Sequence, residues 1–226
     1  MTIEIAMRLS GFLFLFLIII AFVASLRFGS EAWTISDLDS DAKLQKINDD
    51  PNKFRISIVL ALIEHVGIIS LAVMLFIAFS PLNIILAVVW TLSRTGEGSI
   101  HIYSKGNYWG LLSIARQYSG TSGAERDALI DLGRTILKTK NSRFTFAQIL
   151  FSIGTLAYSI LFVTYGVVPP IIGWFGTVAS ILYGLGSGII LVKPNQSPRL
   201  LIGGLLVLLF EVVLGGWLLF VDHQGL

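Results

Sequence analysis

The sequence contains no cysteine, which excludes disulfides and thiolate metal sites and leaves the redox compartment undetermined. Charge is scarce as well. Only 13% of residues are Asp, Glu, Lys or Arg, whereas an ordinary soluble domain carries roughly a quarter. The net charge of +2 is too small to point to a nucleic-acid partner. No H-E-x-x-H, nucleophile elbow or phosphate loop is present, so the balance is against an enzyme, and no cofactor is specified.

What fills the chain is apolar. Hydrophobic residues make up 54%, and mean hydropathy is +0.80. The 226 residues suit an all-α bundle of about six membrane-spanning helices in one integral membrane domain, with the lipid bilayer as its main partner. The apolar runs place spans at about 9–26, 56–79, 83–105, 144–166, 171–192 and 200–221. The first run is long for a signal-peptide core and is taken as a span. Asp37, Asp39 and Asp41 imitate the start of a calcium loop. Ala42 stands where that loop needs Gly and Asn48 where it needs Glu, so a solvated loop with a short helix near 42–47 is expected. Residues 122–140 read as a separate amphipathic interfacial helix, from the capping pair Ser122/Glu125 and the repeat Leu129, Leu132, Ile136.

The third span differs from the rest. At about 100° per residue, Asn83, Trp90, Arg94, Glu97, His101, Ser104 and Tyr108 share roughly an 80° arc, opposite Ile85, Val88, Leu92 and Ile102. Lipid cannot solvate such a stripe, so it must face protein or trapped water. The lower end of the helix is open between Ser104 and Gln117. At about 1.5 Å per residue, Glu64 lies roughly 13 Å from the start of its helix, Glu211 roughly 16 Å from its own, and Arg94 about 16 Å from the opposite side. All three therefore fall near mid-membrane, where an unpaired charge costs on the order of 2.5–3.5 kcal/mol.

Arg94 can reach Glu97 at i, i+3 and still offer its fork to Glu64 or Glu211. One arginine cannot neutralise three carboxylates, so one carboxyl should hold a proton, Glu64 first, or be matched by His65 or His101. The candidate site is thus Glu64, His65, Trp90, Arg94, Glu97, His101 and Glu211, binding a small ligand, ion or proton. A cluster that only fixes helix register explains the same residues. So does a non-catalytic subunit bound to other membrane subunits. An intramembrane zinc hydrolase using Glu64, His65, Glu97 and His101 is disfavoured, because His65 leaves the helix about 100° away from Glu64. Small polar stripes in the fourth span (Gln148, Ser152, Thr155, Ser159) and fifth (Thr177, Ser180, Ser187) read chiefly as packing.

Orientation follows from fourteen Lys and Arg in the first, third and fifth loops against Arg8 alone on the other side. The positive-inside rule then puts those loops in the cytoplasm and both termini outside.

Phe54-Arg55 opening the second span, Arg94/Glu97 in the third, Pro169/Gly173 after the fourth, and Glu211 with Trp217-Leu218-Leu219 in the last carry a resemblance. With the run FRISIVLALIEHVGIISLAVMLF, they resemble a bacterial and archaeal membrane family known as domain of unknown function 4386. The resemblance implies a six-helix membrane protein and assigns no activity.

Overall fold

The computed structural model describes residues 3–29, 34–193 and 202–221. They form α1 (Ile3–Phe28), α2 (Ser40–Asp49), α3 (Pro51–Phe79), α4 (Ile84–Trp109), α5 (Leu111–Tyr118), α6 (Ala124–Thr164), α7 (Pro170–Val192) and α8 (Ile202–Phe220). No β-strand occurs among the described residues. Five helices, α1, α3, α6, α7 and α8, are long and apolar enough to cross a membrane. Each stretch expected as a span overlaps one of these helices or α4, and the fourth, 144–166, falls on the second half of α6, which begins twenty residues earlier. The stretch 200–201 falls outside the described residues, as does Arg199 of the orientation count.

Local chemistry sets the helix ends. Pro170 occupies the first turn of α7, where a missing N–H costs nothing. The Asn83 carboxamide oxygen accepts the Leu86 N–H at 3.1 Å, so Asn83 caps α4 instead of beginning its polar stripe. α4 runs through to Trp109, and after Gly110 the chain continues in α5. Asp39 caps α2 by accepting the Ala42 N–H at 3.1 Å. Asp41 takes a hydrogen bond from the Tyr118 hydroxyl and lies 3.4 Å from Arg126 Nη2. The Tyr118 bond, with Arg126 adding to it, holds the Asp41 carboxyl below its usual range. The Asp37/Asp39/Asp41 spacing therefore serves turn, cap and helix contacts.

The separate interfacial helix is corrected. Residues 124–164 form one 41-residue helix, about 62 Å long, roughly twice the thickness of a bilayer core. Asn141 does not break it, because its side chain is satisfied elsewhere: Oδ1 accepts the Ser36 N–H and Nδ2 donates to the Ser36 carbonyl, both at 2.8 Å. Most of the apolar face assigned to lipid is covered by protein. Leu137 is fully buried, Leu129 and Ile136 pack on the same cluster, and only Leu132 stays exposed.

The chain divides into two compact units. One comprises Met1–Ile19, Val66–Gly98 and Thr145–Leu226. Its core is an aromatic hub on Tyr158, whose ring lies 4.8 Å from Trp90, 5.4 Å from Phe162, 5.8 Å from Phe210 and 6.2 Å from Phe14. The other comprises Ile20–His65 and Ser99–Phe144, with a core of Leu44, Ile47, Phe54, Ile58, Tyr108, Leu111 and Leu137.

Candidate charged site

α4 inverts the usual arrangement of a helix. Ile85 and Leu92 are 72% and 69% exposed, whereas Trp90, Arg94, Glu97, His101, Ser104 and Tyr108 are buried. An apolar outside with a charged inside suits a surrounding of lipid, not water.

Within the first unit, Arg94 Nη1 lies 2.9 Å from Glu97 Oε2, one turn along α4. Its Nη2 lies 3.7 Å from Glu211 Oε1 on α8. All three side chains are largely buried, so the ion pairs act with little solvent screening. The guanidinium also sits over the Phe151 ring of α6, with Cζ 4.4 Å from the centroid, a stacking that Lys could not reproduce. Gly154 makes room for this arrangement, since a Cβ there would meet Arg94 Cγ at 3.0 Å. Tyr158 and Tyr183 lie within electrostatic range of both Glu97 and Glu211. The Tyr183 hydroxyl donates to Gln148 Oε1 at 2.9 Å. One turn before Arg94, the buried Trp90 Nε1 has no hydrogen-bond partner among the described residues.

Glu64, His65 and His101 belong to the second unit. His65 Nδ1 comes within 2.9 Å of Glu64 Oε2, although consecutive helix residues diverge by about 100°. The flexible glutamate arm closes that angle, which corrects the reading that the two point apart. The His65 and His101 rings stack at 4.5 Å, and His101 meets Phe144 at 5.5 Å. Lys105, counted from sequence as a loop cation, is 3% exposed on α4 and within electrostatic range of Glu64. Because α4 continues to Trp109, Lys105 falls four residues after His101 on the same buried face. Glu64 therefore has a cationic neighbour on α4.

Sequence reasoning joined Arg94 to Glu97 and offered Glu64 or Glu211 as the third member, of which Glu211 is the one within 3.7 Å of the guanidinium. It missed Phe151, Tyr158 and Tyr183. Tyr158 stands one residue before Ser159 of a polar stripe already noted, which was the available signal. The stripes themselves are buried, and the Ser152, Ser159 and Thr177 hydroxyls donate to carbonyls four residues back at 2.8, 2.7 and 3.0 Å. These bonds lie within single helices. Among the described residues, no three His, Asp or Glu side chains are grouped to hold a metal.

The described residues are helical without strands, and five helices long and apolar enough to cross a membrane fit the class of multi-pass membrane proteins. The sequence profile of DUF4386, a domain of unknown function, matches residues 9–221, and the chain belongs to that family. No curated protein and no solved structure matches it.

Proposed function

We propose that this is a six-span membrane protein in which α4 also crosses the bilayer, and that the Arg94/Glu97/Glu211 triad binds a proton, ion or small ligand within it. The observation that carries this reading is the triad's stoichiometry: one guanidinium between two carboxylates, all buried. Burial in a low-dielectric surrounding disfavours two ionised carboxylates held side by side. Protonating one of them, or admitting a cation, removes that penalty. A proton is the simplest occupant, and the unpartnered Trp90 Nε1 leaves a buried donor for a larger one.

The orientation that accompanies this reading has both termini outside and the basic loops inside. The polar residues of α4 lower its mean hydropathy, and its exposed face, Ile84, Ile85, Val88, Val89 and Leu92, is the part that would meet lipid.

Infrared spectroscopy of the reconstituted full chain tests the proton. The expected result at neutral pH is a carbonyl stretch from a protonated carboxylic acid, lost in Glu211→Gln or Glu97→Gln and retained in Glu4→Gln. A spectrum without that band in the unmodified protein would sink the proton reading.

A further inference from the structure

A second charged feature, in the other unit, is independent of the triad. There α4 and α6 enclose a pocket of about 190 Å³ walled by Ser104, Asn107, Thr135, Thr139, Lys140 and Arg143. Two cations line it and no carboxylate does. The two are held differently. Lys140 is fixed in the frame, since its ammonium donates to the Thr34 carbonyl and, at 2.8 Å, to the Ser36 hydroxyl. Arg143 is not engaged in that way. Its guanidinium lies over the Tyr103 ring of α4, with Cζ 4.7 Å from the centroid, and its Nη1 is buried without a hydrogen-bond partner among the described residues. Stacking on a ring orients the planar fork but does not replace the hydrogen bonds that water would give it. Asp131, the nearest acid along α6, is largely exposed and lies 3.5 Å from Arg134 instead.

The polar walls say what would satisfy Arg143. The Thr135 and Thr139 hydroxyls already donate, each at 2.9 Å, to the Asp131 and Thr135 carbonyls of their own helix. The neutral donors remaining are the Ser104 hydroxyl and the Asn107 carboxamide, three residues apart on one face of α4. A guanidinium fork with a hydroxyl and an amide across from it can donate to several oxygens of one oxyanion at once. The pocket is smaller than the roughly 300–1,000 Å³ of sites for drug-sized ligands, so it suits a single phosphate-sized group. We infer that it binds a phosphate group, with Arg143 as the principal ligand and Ser104 and Asn107 completing the set. Ser104 closes the apolar stretch 83–105 and Arg143 stands immediately before 144–166, so if α4 crosses the bilayer the pocket lies at the level of lipid phosphates. A phospholipid headgroup and a soluble phosphate ester share this chemistry, and the experiment separates them.

The test uses the full chain in neutral detergent and follows the thermal unfolding midpoint as dioleoylphosphatidic acid, glycerol 3-phosphate, or sodium chloride at matched ionic strength is added. A phosphate probe raises the midpoint saturably and chloride does not. A rise with phosphatidic acid alone assigns the site to lipid, and an equal rise with glycerol 3-phosphate assigns it to the soluble ester. Arg143→Gln raises the half-saturating concentration roughly tenfold or more, as expected for losing a hydrogen bond to a charged group. Asn107→Asp is the sharper variant, because Asn107 is exposed and the change is nearly isosteric. It supplies the pocket with a carboxylate of its own, so it raises the midpoint without ligand and abolishes the response. Lys138→Gln, on an exposed face of α6, leaves the response unchanged. Should Arg143→Gln fail to fold, Asn107→Asp decides alone. A full response in Asn107→Asp, an equal loss in Lys138→Gln, or a chloride shift as large as that of phosphate would overturn the site, as would no shift with either phosphate probe. None of these variants touches the Arg94 triad, which lies in the other unit.

Discussion

Arg94 is the residue whose removal should be felt most, because two buried carboxylates depend on it. Deleting one partner of a buried pair leaves an uncompensated charge, at roughly 3–5 kcal/mol, whereas deleting both removes the desolvation penalty along with the attraction. Arg94→Leu and Glu211→Leu should each lower stability by about that amount. The double variant should recover much of the loss, measured by denaturant or thermal unfolding in mild detergent. Strictly additive losses would mean that the two residues do not meet. At this scale the sequence was informative where the geometry lies within one helix, as for Arg94 and Glu97, and where depth alone matches two helices, as for Arg94 and Glu211. It was silent on Phe151 and Tyr183, because those contacts depend on how neighbouring helices rotate about their axes, which no spacing encodes. Lys105 lies at the end of α4 that the sequence leaves open between Ser104 and Gln117, so its burial was not legible.

Elements were easier to read than their joints. The apolar runs located α1, α3, α7 and α8, and the polar arc of α4 located the face that is buried. The length of α6 was not legible. Asn141 resembles a helix breaker until its bonds to Ser36, more than a hundred residues earlier, are known. Helix pairing has its own determinants. At Gly203 of α8, a Cβ would stand 2.7 Å from the backbone N and Cα of Tyr183 on α7. Gly203→Ala should therefore force the two helices apart and cost roughly 1–3 kcal/mol, disturbing the Tyr183 bond to Gln148 as it does so. At Gly188 on α7 a Cβ meets nothing within 4 Å. Gly188→Ala should be neutral or stabilising by up to about 1 kcal/mol, from helix propensity alone. Equal unfolding midpoints for the two variants would contradict the close approach of α7 and α8.

For the whole molecule, the account depends on α4 crossing the membrane. Five helices qualify on length and apolarity. α4 is kept out of that set by its buried polar residues, among them Arg94 and Glu97, which the proposed function uses. A charged helix inside a bundle defeats a composition test because its polar atoms are solvated by protein, so an average over residues misjudges what lipid would touch. Span count also fixes topology: six crossings return both termini to one side, and five leave them on opposite sides. The absence of native cysteine makes this directly measurable by introducing single cysteines at positions 2, 138 and 224 and labelling intact cells with a membrane-impermeant maleimide. The account predicts that positions 2 and 224 label from outside and that position 138 labels only after the membrane is opened. Termini that label from opposite sides would mean that α4 does not cross, and would contradict a charged site held inside the bilayer.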